Sequence, residues 1–125
     1  MSKLFLEDET YAIRGACFEV YKEKGNGYLE EVYQECLELE LEMRGIPFTT
    51  QPELAMTYKG QPIKKKYIPD LIVYGQIIVE LKAVEALHEK HRAQILNYLH
   101  STGLKVGLLV NFGYYPRVEI ERFAL

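Results

Sequence analysis

The sequence predicts one α/β domain, residues 1–125, with elements in the order α-α-β-β-β-α-β. Three observations carry that expectation. Two stretches near the start repeat apolar residues at helical period, residues 48–84 switch to strand-like runs broken by turn residues, and a helical stretch followed by a continuous apolar run closes the order. A 125-residue chain buries roughly two thirds of its unfolded surface, enough for one core.

In ETYAIRGACFEVYKEKG, residues 9–25, Ala12, Ile13, Ala16, Cys17, Val20 and Tyr21 recur at the i, i+3, i+4, i+7 spacing of an amphipathic helix. Gly25 and Gly27 then punctuate. A second helix is predicted over YLEEVYQECLELELEMRG, residues 28–45, with Leu29, Val32, Tyr33, Cys36 and Leu37 on one stripe, and Gly45 followed by Pro47 ends it. From Phe48 the pattern is strand. FTTQPELAMTY alternates weakly, KGQP supplies a turn, and IKKKYIPDLIVY and QIIVELKAV follow as strands joined by a reversal at Gly75. ALHEKHRAQILNYLHSTG returns to helical period, with Ala93, Ile95, Leu96 and Leu99 on one broad face and Gly103 as its cap. KVGLLVNFG reads as a buried central strand, and the alternating tail RVEIERFAL as a last edge strand.

Hydrophobic residues make up 48% and charged residues 26% of the chain, which argues against disorder or a fibrous repeat. The net charge of −3 argues against a protein that coats nucleic acid by bulk electrostatics, though not against a local basic patch. No apolar run approaches the ~20 residues of a membrane span. MSKLFLEDETYAIRG has neither the apolar region nor the cleavage site of a signal peptide. Cys17 and Cys36 fall on the apolar sides of the two helices and read as two buried thiols in a reducing cytoplasm, with a disulfide as the alternative, and without a Cys-x-x-Cys pair a structural zinc site is not expected.

Three charges interrupt the central apolar hairpin: Asp70, Glu80 and Lys82. Side chains alternate along a strand, so Ile78, Glu80 and Lys82 share one face while Ile77, Val79, Leu81 and Ala83 share the other, apolar face. A loop of Tyr74, Gly75 and Gln76 pairs Val73 with Ile77 and sets Asp70 opposite Glu80. A two-residue loop would put a carboxylate on the core face instead, so the pattern selects the odd-length loop or an equivalent bulge. Carboxylates opposed about 5 Å apart destabilise a sheet unless something compensates. Lys82 supplies one positive charge, and a divalent cation such as Mg²⁺ or Mn²⁺ suits two hard oxygen donors better. The alternative is an ordinary Asp/Glu/Lys cluster on a solvated face.

The same residues resemble a known signature. Pro69 and Asp70, nine intervening residues, then Glu80, Leu81 and Lys82 are similar to the motif of the PD-(D/E)XK nuclease superfamily. Upstream, Gly27, Glu30 and Tyr33 in GYLEEVY match the G-x-x-E-x-x-Y pattern of one small family assigned to it. Downstream, Gln94 and Tyr98 in HRAQILNYL resemble the Q-x-x-x-Y element of exonuclease-like branches, and TGLKVGLLVNFG resembles the end of the GxxExxY core. The resemblance covers about residues 10–113. It implies a restriction-endonuclease-like α-β-β-β-α-β core, a mixed central sheet flanked by helices, and metal-dependent hydrolysis of phosphodiester bonds in DNA or RNA.

Carried over, the resemblance makes Asp70 and Glu80 ligands of Mg²⁺ or Mn²⁺, together with the backbone carbonyl of Leu81, and gives Lys82 the task of orienting or deprotonating the attacking water or stabilising the transition state. Glu30 would complete the metal shell, against the alternative of a surface glutamate among Glu31, Glu35 and Glu38. Gln94 and Tyr98 lie four apart on one helical face and are implied to touch substrate or water near the metal, against a surface glutamine and a core tyrosine. His91 is a phosphate-contact candidate, His88 and His91 lack a third clear metal ligand, and His100 reads as surface. Tyr33 reads as core and Gly27 as serving the helix entry. The tyrosines, spread along the chain, show no stacking motif in sequence.

Lys64, Lys65 and Lys66 form the only basic cluster. They read either as a contact for a nucleic-acid backbone or as a solvated strand edge that discourages aggregation. The acidic balance and small size point to a homodimer or an associated protein to hold substrate. Two readings of function therefore stand: a Mg²⁺- or Mn²⁺-dependent nuclease, or a nuclease-fold module that binds nucleic acid or a protein partner without significant turnover.

Overall fold

A computed structural model describes residues 4–125; residues 1–3, which begin the stretch read for a signal peptide, lie outside the described residues. The elements are α1 (Glu7–Lys24), α2 (Glu30–Met43), β1 (Phe48–Thr50), β2 (Thr57–Tyr58), β3 (Gln61–Pro62), β4 (Leu71–Val73), β5 (Ile77–Lys82), α3 (Glu89–Thr102), β6 (Val106–Asn111) and β7 (Glu119–Ala124). Five strands form one mixed sheet in the order β1-β4-β5-β6-β7. Only β5 and β6 run parallel, with α3 as the crossover between them. Three helices on a mixed sheet make the α/β fold that the element order predicts. Among the described residues, no helix is long and apolar enough to cross a membrane.

The two sheet faces bury different partners. Ile77, Val79 and Leu81 of β5 join Val106, Leu108 and Val110 of β6 under Ile13, Ala16, Cys17 and Val20 of α1 and Tyr33, Leu37 and Leu41 of α2. The opposite face is covered by α3: Ile78 packs with Leu99, and Leu109 with Ile95. A Cβ at Gly107 would meet the Ile95 side chain at 3.0 Å, so glycine there lets α3 lie close on β6. The single-face pattern predicted for β5 is therefore present, but its second face is apolar as far as Ile78 and polar only from Glu80 onward. The edge strand expected in the tail is β7, paired antiparallel to β6.

The residues between α2 and β5 depart furthest from the sequence reading. The expected strand over 48–58 is three residues of β1 and two of β2, and the expected strand over 63–74 is only Leu71–Val73 of β4. Pro52, Pro62 and Pro69 remove ladder donors along this stretch, and Gln51 takes a positive φ of 45°. The turn read in KGQP is tighter than expected: Lys59 and Gly60, at φ 49° and 80°, form the loop, and Gln61 and Pro62 are already β3.

Three helix assignments also change. Leu29 precedes α2 and is exposed rather than on its buried stripe. Ala93 is exposed, leaving Ile95 and Leu99 as the buried contacts of α3. Cys36 is half-buried where Cys17 is fully buried, and both are free thiols.

Tyr33 is a core residue with a polar task. Its ring stacks on Phe112 at 4.6 Å, and its hydroxyl donates to the Gly25 carbonyl at 2.5 Å while accepting from the Tyr28 N–H at 3.2 Å. It thereby closes the turn in which Gly27 holds φ 111°, a conformation that favours glycine. Tyr33→Phe keeps the stack and orphans both backbone groups. The expected cost is about 1–2 kcal/mol, read as a fall of roughly 5 °C in a thermal melt.

Candidate functional site

The reversal between β4 and β5 has the three-residue loop that the polar pattern selects. Val73 pairs with Ile77, Ile72 with Ile78 and Leu71 with Val79, around Tyr74 at φ 57° and Gly75 at φ 68°. Extended by one residue beyond β4, this register sets Asp70 opposite Glu80. The two are joined through the backbone: the Asp70 N–H donates to Glu80 Oε1 at 3.3 Å, and the Leu81 N–H donates to Asp70 Oδ2 at 2.7 Å.

Extended by one more residue, the register sets Pro69 opposite Leu81. The Lys82 carbonyl accepts from the Phe112 N–H on the β6 side, so the Leu81 N–H and C=O point the other way, toward Asp70. A ladder would give the Leu81 carbonyl an N–H from residue 69, and proline has none to give. Pro69 thus ends the β4 ladder where the carboxylates begin and leaves the Leu81 carbonyl facing them.

Burial makes this patch electrostatically uncomfortable. Removal from water pushes the Glu80 carboxyl up to about 7, and the Asp70 charge adds to that rise, while the Tyr67 hydroxyl, the Asp70 N–H and Lys82 offset it. Burial raises Asp70 as well, against the Leu81 N–H and Lys82. The Tyr67 hydroxyl donates to Glu80 Oε1 at 2.7 Å, so this oxygen accepts two hydrogen bonds. Lys82 makes no ion pair within 4.0 Å among the described residues and acts on these groups through space.

Glu30, first residue of α2, is carried to the same end of β5. Burial holds its carboxylate above the ordinary range, against the Lys82 charge and the nearby Ala83 N–H, while the Asp70 charge adds to the rise. Gln34, one turn on, donates from Nε2 to the Asp70 carbonyl at 3.0 Å and ties α2 to the Asp70 backbone. From the other face come the α3 residues. Gln94 donates to the Tyr98 hydroxyl at 3.0 Å, and the Tyr98 ring stacks on Tyr67 with centroids 3.5 Å apart. These two rings, 31 residues apart in the chain, are brought together by the sheet. Tyr98 reaches Glu80 through Tyr67 rather than directly.

His91, in the first turn of α3, feels the Lys82 charge, and burial and that charge hold its imidazole below the usual value. Its Nδ1 accepts the His88 N–H at 3.2 Å, which commits one ring nitrogen to the helix start. His100 is exposed. Lys64, Lys65 and Lys66 are exposed too, but lie outside every strand, so the strand-edge reading does not apply to them.

Sequence reasoning missed Tyr67, Gln34 and Asn111. Asn111 is fully buried and fastens the chain just after Lys82: its Oδ1 accepts the Val84 and Gly113 N–H groups at 3.0 Å, and its Nδ2 donates to the Val84 carbonyl at 2.9 Å and to Glu119. A polar residue closing the apolar run KVGLLVN was the available signal, because a buried amide must find partners. Nothing local marked Tyr67 or Gln34, whose partners are 13 and 36 residues away.

Among the described residues, no three His, Cys, Asp or Glu side chains gather closely enough to hold a metal ion by themselves. The donors present are the Asp70 and Glu80 carboxylates and the Leu81 carbonyl, with Glu30 beside them. Mg²⁺ keeps several waters and is commonly held by one or two carboxylates, so a hard-oxygen set of this kind fits it.

A family model described as the PD-(D/E)XK nuclease superfamily matches residues 7–123. No curated protein matches the chain. Among solved structures, the crystal structure of SSO0001 is similar with a TM-score of 0.61 and 21% identity, over 75% of this chain and 48% of that one. The chain thus spans about half the length of that protein, and the likeness is one of fold.

Proposed function

The chain belongs to the PD-(D/E)XK nuclease superfamily, and from that premise we propose that residues 1–125 form a divalent-metal-dependent nuclease domain hydrolysing phosphodiester bonds in DNA or RNA. One observation carries the reading: two half-buried carboxylates, Asp70 and Glu80, face each other with their ionisation opposed by partial removal from water and, at Glu80, by the Asp70 charge. Such a pair is poorly placed without a cation and well placed with one. Gly27, Glu30 and Tyr33 support the narrower placement in the GxxExxY family.

Asp70, Glu80 and the Leu81 carbonyl would hold Mg²⁺ or Mn²⁺, and Glu30 stands near enough in charge to contribute. When bound, such a cation acidifies water and neutralises charge developing on a phosphate. Lys82, two residues along the Glu80 face, orients the attacking water or steadies the pentavalent phosphate with its ammonium. The Leu81 N–H and Tyr67 hydroxyl hold the two carboxylates in place, each occupying one oxygen. Gln94, Tyr98 and His91 stand on the α3 side as substrate contacts, with His91 toward the phosphate. The reading places the protein in the cytoplasm, alone, as a homodimer or with an associated protein.

The test is a panel of single- and double-stranded DNA and RNA incubated with Mn²⁺, Mg²⁺ or chelator. Metal-stimulated cleavage is expected in wild type and is expected to vanish in Asp70→Ala and Lys82→Ala, both of which should melt cooperatively. Metal-dependent stabilisation without cleavage of any substrate would instead indicate a binding module.

A further inference from the structure

Between Glu53 and Asp70 the chain carries four lysines, Lys59, Lys64, Lys65 and Lys66, and no acidic residue. That is four of its 15 basic residues and none of its 18 acidic ones, so the remainder sets 11 basic against 18 acidic residues. Positive charge is concentrated in one short segment of an acidic protein. All four lysines are exposed.

The segment is also a structural unit. β2 and β3 form a two-stranded hairpin that belongs to no larger sheet. It stands on a base closed by reciprocal hydrogen bonds between Leu54 and Tyr67, at 2.8 and 2.9 Å, and by the Ile63 N–H on the Met56 carbonyl at 3.0 Å. Leu54, Met56 and Tyr67 pack with Ile78 and Leu99 under it. At the hairpin end Tyr58 is 66% exposed with Lys59 5.6 Å from its ring centre, and Ile68, beside the lysines, is 51% exposed. Cations with an exposed aromatic ring are the equipment of a nucleic-acid surface.

Protection of a sheet edge does not explain these lysines. The edges of the five-stranded sheet are β1 and β7, the lysines lie on neither, and none of them falls within β2 or β3. The base of the arm, however, is part of the site: Tyr67 bonds Glu80, and the chain reaches Asp70 three residues later.

We propose that the arm formed by residues 54–69 binds the phosphate backbone of nucleic acid through Lys59, Lys64, Lys65 and Lys66 and delivers it to the Asp70–Glu80 end of β5. This rests on the nuclease reading for its purpose but not for its test. The arm supplies sequence-independent grip, because lysine ammonium groups act on phosphates as point charges. It also accounts for how a chain of net charge −3 approaches a polyanion, by presenting one face of opposite sign.

The experiment measures binding of fluorescent 30-nucleotide single-stranded and duplex DNA and RNA in chelator, where cleavage is absent, at several salt concentrations. Wild type is compared with Lys64→Gln/Lys66→Gln and with Lys22→Gln/Lys105→Gln, which removes the same charge elsewhere on the exposed surface. The arm variant is expected to bind at least tenfold more weakly at low salt. Its slope of log affinity against log salt should shrink by about 1.8 on duplex or about 1.4 on a single strand. The control should bind within twofold of wild type, and all three should melt at the same temperature. Equal weakening of both variants, or an arm variant that binds like wild type, overturns the arm while leaving cleavage untouched. A wild type that binds no nucleic acid overturns it as well, and the cleavage panel then judges the nuclease reading separately.

Discussion

Replacing Gly113 by alanine is expected to lower the melting temperature by about 10 °C and to disorder the end of β5. An added Cβ would lie 2.4 Å from both the Val84 nitrogen and its carbonyl oxygen, and 2.6 Å from the Ala83 carbonyl carbon. These are backbone atoms, so relief requires moving one segment off the other by about 1 Å, since ordinary contact begins near 3.4 Å. The same two segments are clamped by Asn111, which bonds the Val84 N–H, the Val84 carbonyl and the Gly113 N–H. Separation lengthens the two bonds to Val84, which cross between the segments, and leaves a fully buried amide short of partners. The cost is on the order of 3 kcal/mol, and each kcal/mol is worth roughly 3–4 °C in a domain of this size. Lys82 and Ala83, beside Glu30, lie one or two residues upstream, so any metal-induced stabilisation should fall with the melt. A Gly113→Ala protein that unfolds within 2 °C of wild type would show that the approach is not obligatory.

Glu80→Gln is expected to stabilise the metal-free protein above pH 7 while abolishing its response to metal. The sign follows from the shift. The folded protein holds Glu80 at about 7 against an ordinary value of 4.5, so the folded state retains a proton that the unfolded chain has released. Stability contributed by this group is therefore complete below pH 4.5, declines as pH rises, and is lost above about 7. The shift corresponds to on the order of 2 kcal/mol once partial solvent access is allowed for. Glutamine keeps a carbonyl Oε1 to accept the Tyr67 hydroxyl and the Asp70 N–H, and it carries no charge to bury or to repel Asp70. Urea melts of wild type and variant should coincide near pH 4 and separate by on the order of 2 kcal/mol at pH 8. Millimolar Mg²⁺ or Mn²⁺ at pH 8 should then raise wild type and leave the variant unmoved. Parallel curves at both pH values would mean that Glu80 ionises in the fold without strain.

This trade of stability for a charged site explains why the motif was visible in sequence at all. Apolar alternation along β5 marks its core face, so a carboxylate and an ammonium at Glu80 and Lys82 stand out against it. The faces then determine the loop length and with it the partner of Glu80, because a slip of one residue would bury Asp70 in the core. Glu30 was singled out by resemblance rather than by pattern, as its helix bears glutamates on several faces. The long strands expected over 48–58 and 63–74 failed for a local reason, proline in the ladder, and a non-local one: the hairpin arm packs on Leu99 and Ile78 instead of extending the sheet.

The sequence by itself determined the α/β order, the two-sided character of β5 and the juxtaposition of Asp70 with Glu80. Each of those rests on periodicity or on a turn a few residues long, which short-range chemistry dictates. Only the tertiary structure decided that Tyr67 and Tyr98 stack, that Gln34 and Asn111 fasten the backbone on either side of the site, and that four lysines stand on one arm beside it. Those contacts join residues up to 36 apart, and their partners are chosen by which surfaces the sheet and helices bring together, something no local pattern encodes.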